Sequence, residues 1–152
     1  MGRTKGGTNM ALKVWQVHRG GYFLGDQEQR TKQIQQIEAE HPDRKMVEAN
    51  DRQLYLDLDL DQEEGGFYTE EDVKRIVSGL VEDLFGGDIG TPRFLPSKSG
   101  NLHAIVRLRK PMPALERVAV QLALGSDPVR ERISAQRVLK GISPAICLLL
   151  RK

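Results

Sequence analysis

The chain is short of several things at once. It has one cysteine, Cys147, within the apolar run Ile146-Cys147-Leu148-Leu149-Leu150. A single cysteine excludes an internal disulfide framework and a cysteine-rich zinc cluster, and its surroundings suit a core filler in a reducing compartment. Aromatic residues make up only 5% of the 152 positions, so few rings are on offer for stacking on nucleobases. No apolar run reaches the length of a membrane span. The basic opening Met1-Gly2-Arg3-Thr4-Lys5-Gly6-Gly7-Thr8 has no apolar segment of the kind a secretory signal needs. A cytoplasmic protein without membrane attachment is expected.

What is present is an ordinary globular composition, 39% hydrophobic and 29% charged, in a length that suits one domain with a real core. Residues 1–12 read as a flexible basic tail and residues 13–152 as a single folded unit. The net charge of +2 conceals an uneven distribution. Residues 1–25 carry four Lys or Arg and no acid; residues 26–97 carry eight basic and eighteen acidic residues; residues 98–152 carry eleven basic and three acidic ones. A basic final third is a plausible footprint for phosphate, and it is equally what charges scattered over separate faces would give.

The most informative stretch is Tyr55-Leu56-Asp57-Leu58-Asp59-Leu60-Asp61. Apolar and polar residues alternate with period two, as in a half-buried strand. Leu54, Leu56, Leu58 and Leu60 share one face; Tyr55, Asp57, Asp59 and Asp61 share the other. Same-face neighbours on a strand lie about 7 Å apart. Carboxylates at that spacing repel, and aspartate is a poor strand former. A divalent cation would offset the repulsion, since hard cations take carboxylate oxygens. A solvated strand end running into Gln62-Glu63-Glu64-Gly65-Gly66 also fits the pattern.

The rest of the chain alternates helical and extended signals. Lys13 to Val17 reads as a brief strand. Gln27 to Glu40 reads as a surface helix with a thin Ile34 and Ile37 stripe, stopping before Pro42. Lys45 to Glu48 reads as a short strand that turns at Asn50-Asp51 into the acidic strand, forming a hairpin. Thr69 to Phe85 is the clearest helix: Val73, Ile76, Val77, Leu80, Val81, Leu84 and Phe85 recur at helical spacing, behind a Thr69 cap. Strands follow at Thr91 to Pro96 and Leu102 to Arg109. Pro113 to Leu124 and Asp127 to Lys140 read as helices, ended by Gly125 and Gly141. Ala145 to Leu150 reads as a buried last strand. The order implies an α+β fold with a mostly antiparallel sheet.

Two further stretches carry chemically useful residues. In Ser97-Lys98-Ser99-Gly100-Asn101-Leu102-His103, a Ser-Gly turn could offer amides to an anion. Lys98 adds a charge, and His103 follows on the strand within potential reach. In Gly125-Ser126-Asp127-Pro128-Val129-Arg130-Glu131-Arg132, Asp127 before Pro128 is a strong helix cap. Arg130 and Arg137 are seven apart and share a helical face, from which they could bind phosphate.

In order and spacing these three stretches resemble the archaeo-eukaryotic primase superfamily, particularly the small primase-polymerase catalytic domains of phages and plasmids. The resemblance runs from about Leu54 to Leu150. It implies an RRM-like sheet covered by helices, and metal-dependent nucleotidyl transfer to nucleic acid. Asp57, Asp59 and Asp127 then correspond to ligands of catalytic Mg2+ or Mn2+, with Asp59 and Asp61 as the alternative pair from the first motif. Lys98, Ser99, Gly100 and His103 correspond to contacts to the incoming nucleoside triphosphate, with His103 beside the reacting groups. Arg137 corresponds to the basic residue after the third motif, and Arg130 and Arg137 would follow a single-stranded DNA template. A helicase or other replication protein in a bacterial host would be the natural partner. A two-metal nuclease and a non-catalytic nucleic-acid-binding module use overlapping residues. A histidine-based nicking enzyme fits less well, because a paired-histidine motif and a suitably placed tyrosine are missing.

Overall fold

The structure, a computed structural model, describes residues 25–60 and 69–152. The basic tail, the strand expected at Lys13 to Val17, and Asp61 lie outside these residues. Among the described residues the order is α1 (Gln27–Glu40), β1 (Arg44–Glu48), β2 (Gln53–Leu58), α2 (Glu70–Phe85), β3 (Arg93–Pro96), β4 (Leu102–Arg107), α3 (Ala114–Ala123), α4 (Pro128–Lys140) and β5 (Cys147–Arg151). The fold is α+β with small antiparallel sheets. No helix among the described residues is long and apolar enough to cross a membrane.

Strand β2 lies at the edge of a three-stranded sheet ordered β2-β4-β3, all antiparallel. Its leucines do what their alternation demands. Leu54, Leu56 and Leu58 are buried with Leu102, Ala104 and Val106 of β4 and with Val77 and Val81 of α2. Helix α2 presents these valines because its apolar positions recur on one face. Its first turn is held by a reciprocal cap, Asp72 N donating to Thr69 Oγ1 and Thr69 N to the Asp72 carboxylate. On the opposite face Tyr55 and Ile105 pack with Val118 of α3, Ala135 and Val138 of α4, and Ile146 and Leu148 near β5. Both faces of the sheet are thus packed among the described residues.

The expected hairpin between the first two strands does not form. Strand β1 pairs antiparallel with β5, Arg44 opposite Arg151 and Glu48 opposite Cys147. The reason lies on the outer edge of β2, which is already taken. Tyr55 N donates to Gln121 Oε1 (2.9 Å), and Tyr55 O accepts from Arg130 Nη1. Asp57 N donates to Ser126 Oγ (2.9 Å), and Asp57 O accepts from Asp127 N (2.7 Å). The α3–α4 corner stands in for a neighbouring strand, leaving β1 no ladder there. The single sheet expected from the sequence is therefore two small sheets.

Helix α1 differs from expectation in how it is held. Its apolar stripe is thin, and polar contacts anchor it instead. Buried Arg30 donates to Pro144 O through Nε (3.2 Å) and Nη2 (3.0 Å), and Met46 N donates to Glu38 Oε2 (2.9 Å).

Candidate functional site

The antiparallel register sets Asp57 of β2 directly across from His103 of β4, with Leu95 of β3 beyond it. Both side chains share the face of Tyr55 and Ile105, one pair further toward the C-terminal end of β2. Asp57 Oδ1 lies 3.7 Å from His103 Nε2, too long for a hydrogen bond. His103 is only 8% exposed, and its Nδ1 has no hydrogen-bond partner among the described residues. A buried donor or acceptor left unpaired is unfavourable, so His103 Nδ1 stands out among the described residues as a polar atom whose pairing is unaccounted for.

Burial pushes the Asp57 carboxyl up to about 6. Arg130 opposes that shift, while Asp59 and Asp127 reinforce it by repulsion. Burial likewise pushes the His103 imidazole down to about 4, helped by the positive charges of Arg130 and Arg44. Near neutral pH the site therefore holds an ionised Asp57 beside an uncharged histidine.

Asp127 arrives at the same place along another route. Gly125, at φ 93°, lets the chain reverse after α3. Ser126 and Asp127 then dock on the Asp57 backbone through the two bonds described above. Asp127 Oδ1 caps α4 by accepting from Val129 N (3.0 Å), with Pro128 in the first helical position. The acids expected from the first and third motifs are thus brought together: Asp57 and Asp127 are joined backbone to backbone. Asp59 lies just past the end of β2, which stops at Leu58 and not at Leu60 as expected, and it accepts from Asn101 Nδ2 (3.3 Å).

The Ser97 to Asn101 loop sits beside these acids, but its amides are largely occupied. Ser97 N donates to Asn101 O (2.8 Å), Gly100 N to Ser97 O (3.2 Å) and Asn101 N to Ser97 Oγ (2.9 Å). These bonds close the turn, with Gly100 at φ 87°, rather than forming an open cradle. Lys98 and Ser99 are exposed, and the Ser99 hydroxyl lies 3.2 Å from that of buried Ser97.

The two arginines take other places. The Arg130 guanidinium points inward, bonding Tyr55 O, Glu131 Oε1 (3.0 Å) and Cys147 O (2.9 Å). It ties β2 to β5 and tempers the acidic site from behind, instead of facing a template. Arg137 stands in the last turn of α4. Ten residues at about 1.5 Å each put it about 15 Å along the helix from Asp127, so the structure does not gather it with the acids.

Sequence reasoning missed four residues around the site: Gln121, Ser126, Glu131 and Asn101. Gln121 and Glu131 are 0% and 1% exposed. Polar residues at buried helical positions leave no periodic signal that separates them from surface ones. Asn101 was legible only as a turn residue, although its Oδ1 also accepts from Leu60 N (3.1 Å) and pins the end of the acidic strand.

Among the described residues, no three His, Cys, Asp or Glu side chains form a group that could by itself hold a metal ion. Carboxylates at Asp57 and Asp59, with Asp127 close by, fit another arrangement. Mg2+ is usually held by one or two carboxylates, its remaining positions filled by water and substrate phosphate. Comparison of the chain with protein-family models, curated proteins and solved structures finds no match.

Proposed function

We propose that the protein catalyses metal-dependent nucleotidyl transfer to nucleic acid, in the manner of a small primase-polymerase domain, with the Asp57, Asp59 and Asp127 carboxylates as its metal-binding acids. The observation that carries this reading is the 2.7 Å bond from Asp127 N to Asp57 O. It joins acids seventy residues apart at one strand end, beside a histidine with an unpaired ring nitrogen. The three-stranded sheet with α2 across its leucine face supports an RRM-like core.

Bound Mg2+ or Mn2+ would supply Lewis-acid stabilisation of the reacting phosphate and acidify the attacking 3′-hydroxyl. The chain's own groups have separate tasks. Asp57, ionised near neutral pH, presents hard oxygens in a partly desolvated setting where electrostatic attraction is strengthened. His103 is neutral there, so it offers a phosphate oxygen an N–H donor and not a full charge. Lys98 brings the positive charge from the exposed loop, and the Ser99 hydroxyl adds a donor. Behind these groups buried Tyr55 packs with Ile105. Single-stranded DNA and nucleoside triphosphates are the substrates, and a helicase or other replication protein is the partner in a phage or plasmid setting in the bacterial cytoplasm.

The test is incorporation of labelled nucleotides on primed and unprimed single-stranded DNA with Mn2+, beside Asp57→Asn and Asp127→Asn. Asparagine at 127 keeps the helix cap and removes only the charge. Incorporation by the wild type, lost in both variants, is expected. Shortening of the strand would assign a two-metal nuclease. DNA binding indifferent to both substitutions and to chelation, with no incorporation, would assign a non-catalytic binding module.

A further inference from the structure

The edge of β2 is fastened by more than the metal-binding acids need. Sheet edges ordinarily present unpaired amides and carbonyls. Here four successive outward-facing groups, on Tyr55 and Asp57, are each met by a group from the α3–α4 corner. Ser126 and Asp127 meet Asp57. Gln121 and Arg130 meet Tyr55, and they are held by a third residue, Glu131.

Gln121 Nε2 donates to both Glu131 oxygens (2.9 Å each), which leaves Oε1 to face Tyr55 N. Arg130 Nη1 donates to the same two oxygens (3.0 and 3.1 Å) and also to Tyr55 O. Glu131 therefore orients both groups that grip Tyr55. A carboxylate buried to this degree is a poor way to gain stability, because an apolar residue of similar volume often does as well or better. The best-attested use of such a group is to fix a register. Register is what the site depends on. A two-residue slip of β2 would keep its leucines buried yet carry Asp57 about 7 Å past Asp127.

We infer that Gln121 and Glu131 are positioning residues, whose buried hydrogen bonds hold the edge of β2 in the register that sets Asp57 beside Asp127. This rests on the reading of those aspartates as metal-binding acids. Neither Gln121 nor Glu131 touches substrate in this account; both act through Tyr55 and Arg130.

The experiment uses the full chain and Mn2+ as the probe, with affinity read by electron paramagnetic resonance in the presence of a nucleoside triphosphate. Folding is checked by circular dichroism. Gln121→Met removes the acceptor at similar volume, and Glu131→Gln removes the charge at the same volume. Each folded variant is expected to bind Mn2+ about tenfold more weakly than wild type, the size of effect typical of groups that orient ligands. Leu139→Ala, an exposed change on α4, should leave affinity unchanged. Affinity within about twofold of wild type in both folded variants overturns the positioning role and leaves the functional reading standing. A wild type that binds no Mn2+ overturns that reading and this inference together.

Should neither variant fold, amide hydrogen exchange of the wild type decides. The amides of Tyr55 and Asp57 are expected to be protected to the same degree as that of Leu56. Rapid exchange of the Tyr55 amide beside a protected Leu56 overturns the role.

Discussion

Asp57 and His103 should impose opposite pH dependences on stability, and single substitutions should expose them. The carboxyl ordinarily titrates near 3.8 and in the fold near 6. Between those values the folded state holds a proton that the unfolded state has lost, so stability falls as pH rises through the window. At about 1.4 kcal/mol per unit of pH, the total is about 3 kcal/mol. His103 runs the other way. It ordinarily titrates near 6.5 and in the fold near 4. Between those values the unfolded state holds the extra proton, so stability rises with pH, again by about 3 kcal/mol. In the wild type the two slopes largely cancel between about pH 4 and 6.

Urea unfolding followed by circular dichroism from pH 4 to 7 separates them. Relative to wild type, Asp57→Asn should gain about 3 kcal/mol as pH rises through this range, and His103→Asn should lose about as much. The double variant should return a nearly flat difference; any remainder measures direct coupling across the 3.7 Å gap. A flat difference for Asp57→Asn would mean that the carboxyl sits in water, and it would refute the buried site.

Other expectations concern the frame around the site. Asp127→Ala should lower stability by about 1 kcal/mol through loss of the α4 cap, whereas Asp127→Asn should be nearly neutral, as read in the same urea titrations. Leu56→Ala, at a fully buried position between sheet and α2, should cost about 2–5 kcal/mol and shift the urea midpoint accordingly. Gly141 ends α4 at φ 70°, with open space where a Cβ would stand. Gly141→Ala should therefore cost about 1 kcal/mol from backbone conformation alone, visible as a lower thermal midpoint.

The elements with strong periodicity were legible in the sequence. The leucines of β2 and the valines of α2 name their own partners, because burial of one face leaves little choice of register. The caps at Thr69 and Asp127 were equally plain. Pairing of β1 was not legible, since its competitor for the β2 edge is a set of side chains and amides and no second strand. The interest in Asp57, Asp127 and His103 came from the resemblance; in the fold Asp57 stands across from His103 and its carbonyl accepts from Asp127 N. The role given to Arg130 did not anticipate that its guanidinium faces inward. A helical arginine looks the same in sequence whether it meets solvent or a buried carboxylate, and Glu131 beside it was the only hint. Arg137 shares a helical face with Arg130, and its distance from Asp127 was available from the spacing, since ten helical residues span about 15 Å.

The most direct measurement is paramagnetic broadening of the backbone amide spectrum by sub-stoichiometric Mn2+ with a nucleoside triphosphate. Selective loss of the Asp57, Asp59, His103 and Asp127 signals, abolished by Asp57→Asn, is the expected result. Broadening centred instead on the acidic first turn of α2, at Glu70, Glu71 and Asp72, or persisting unchanged in Asp57→Asn, would contradict a metal-binding junction between β2 and α4.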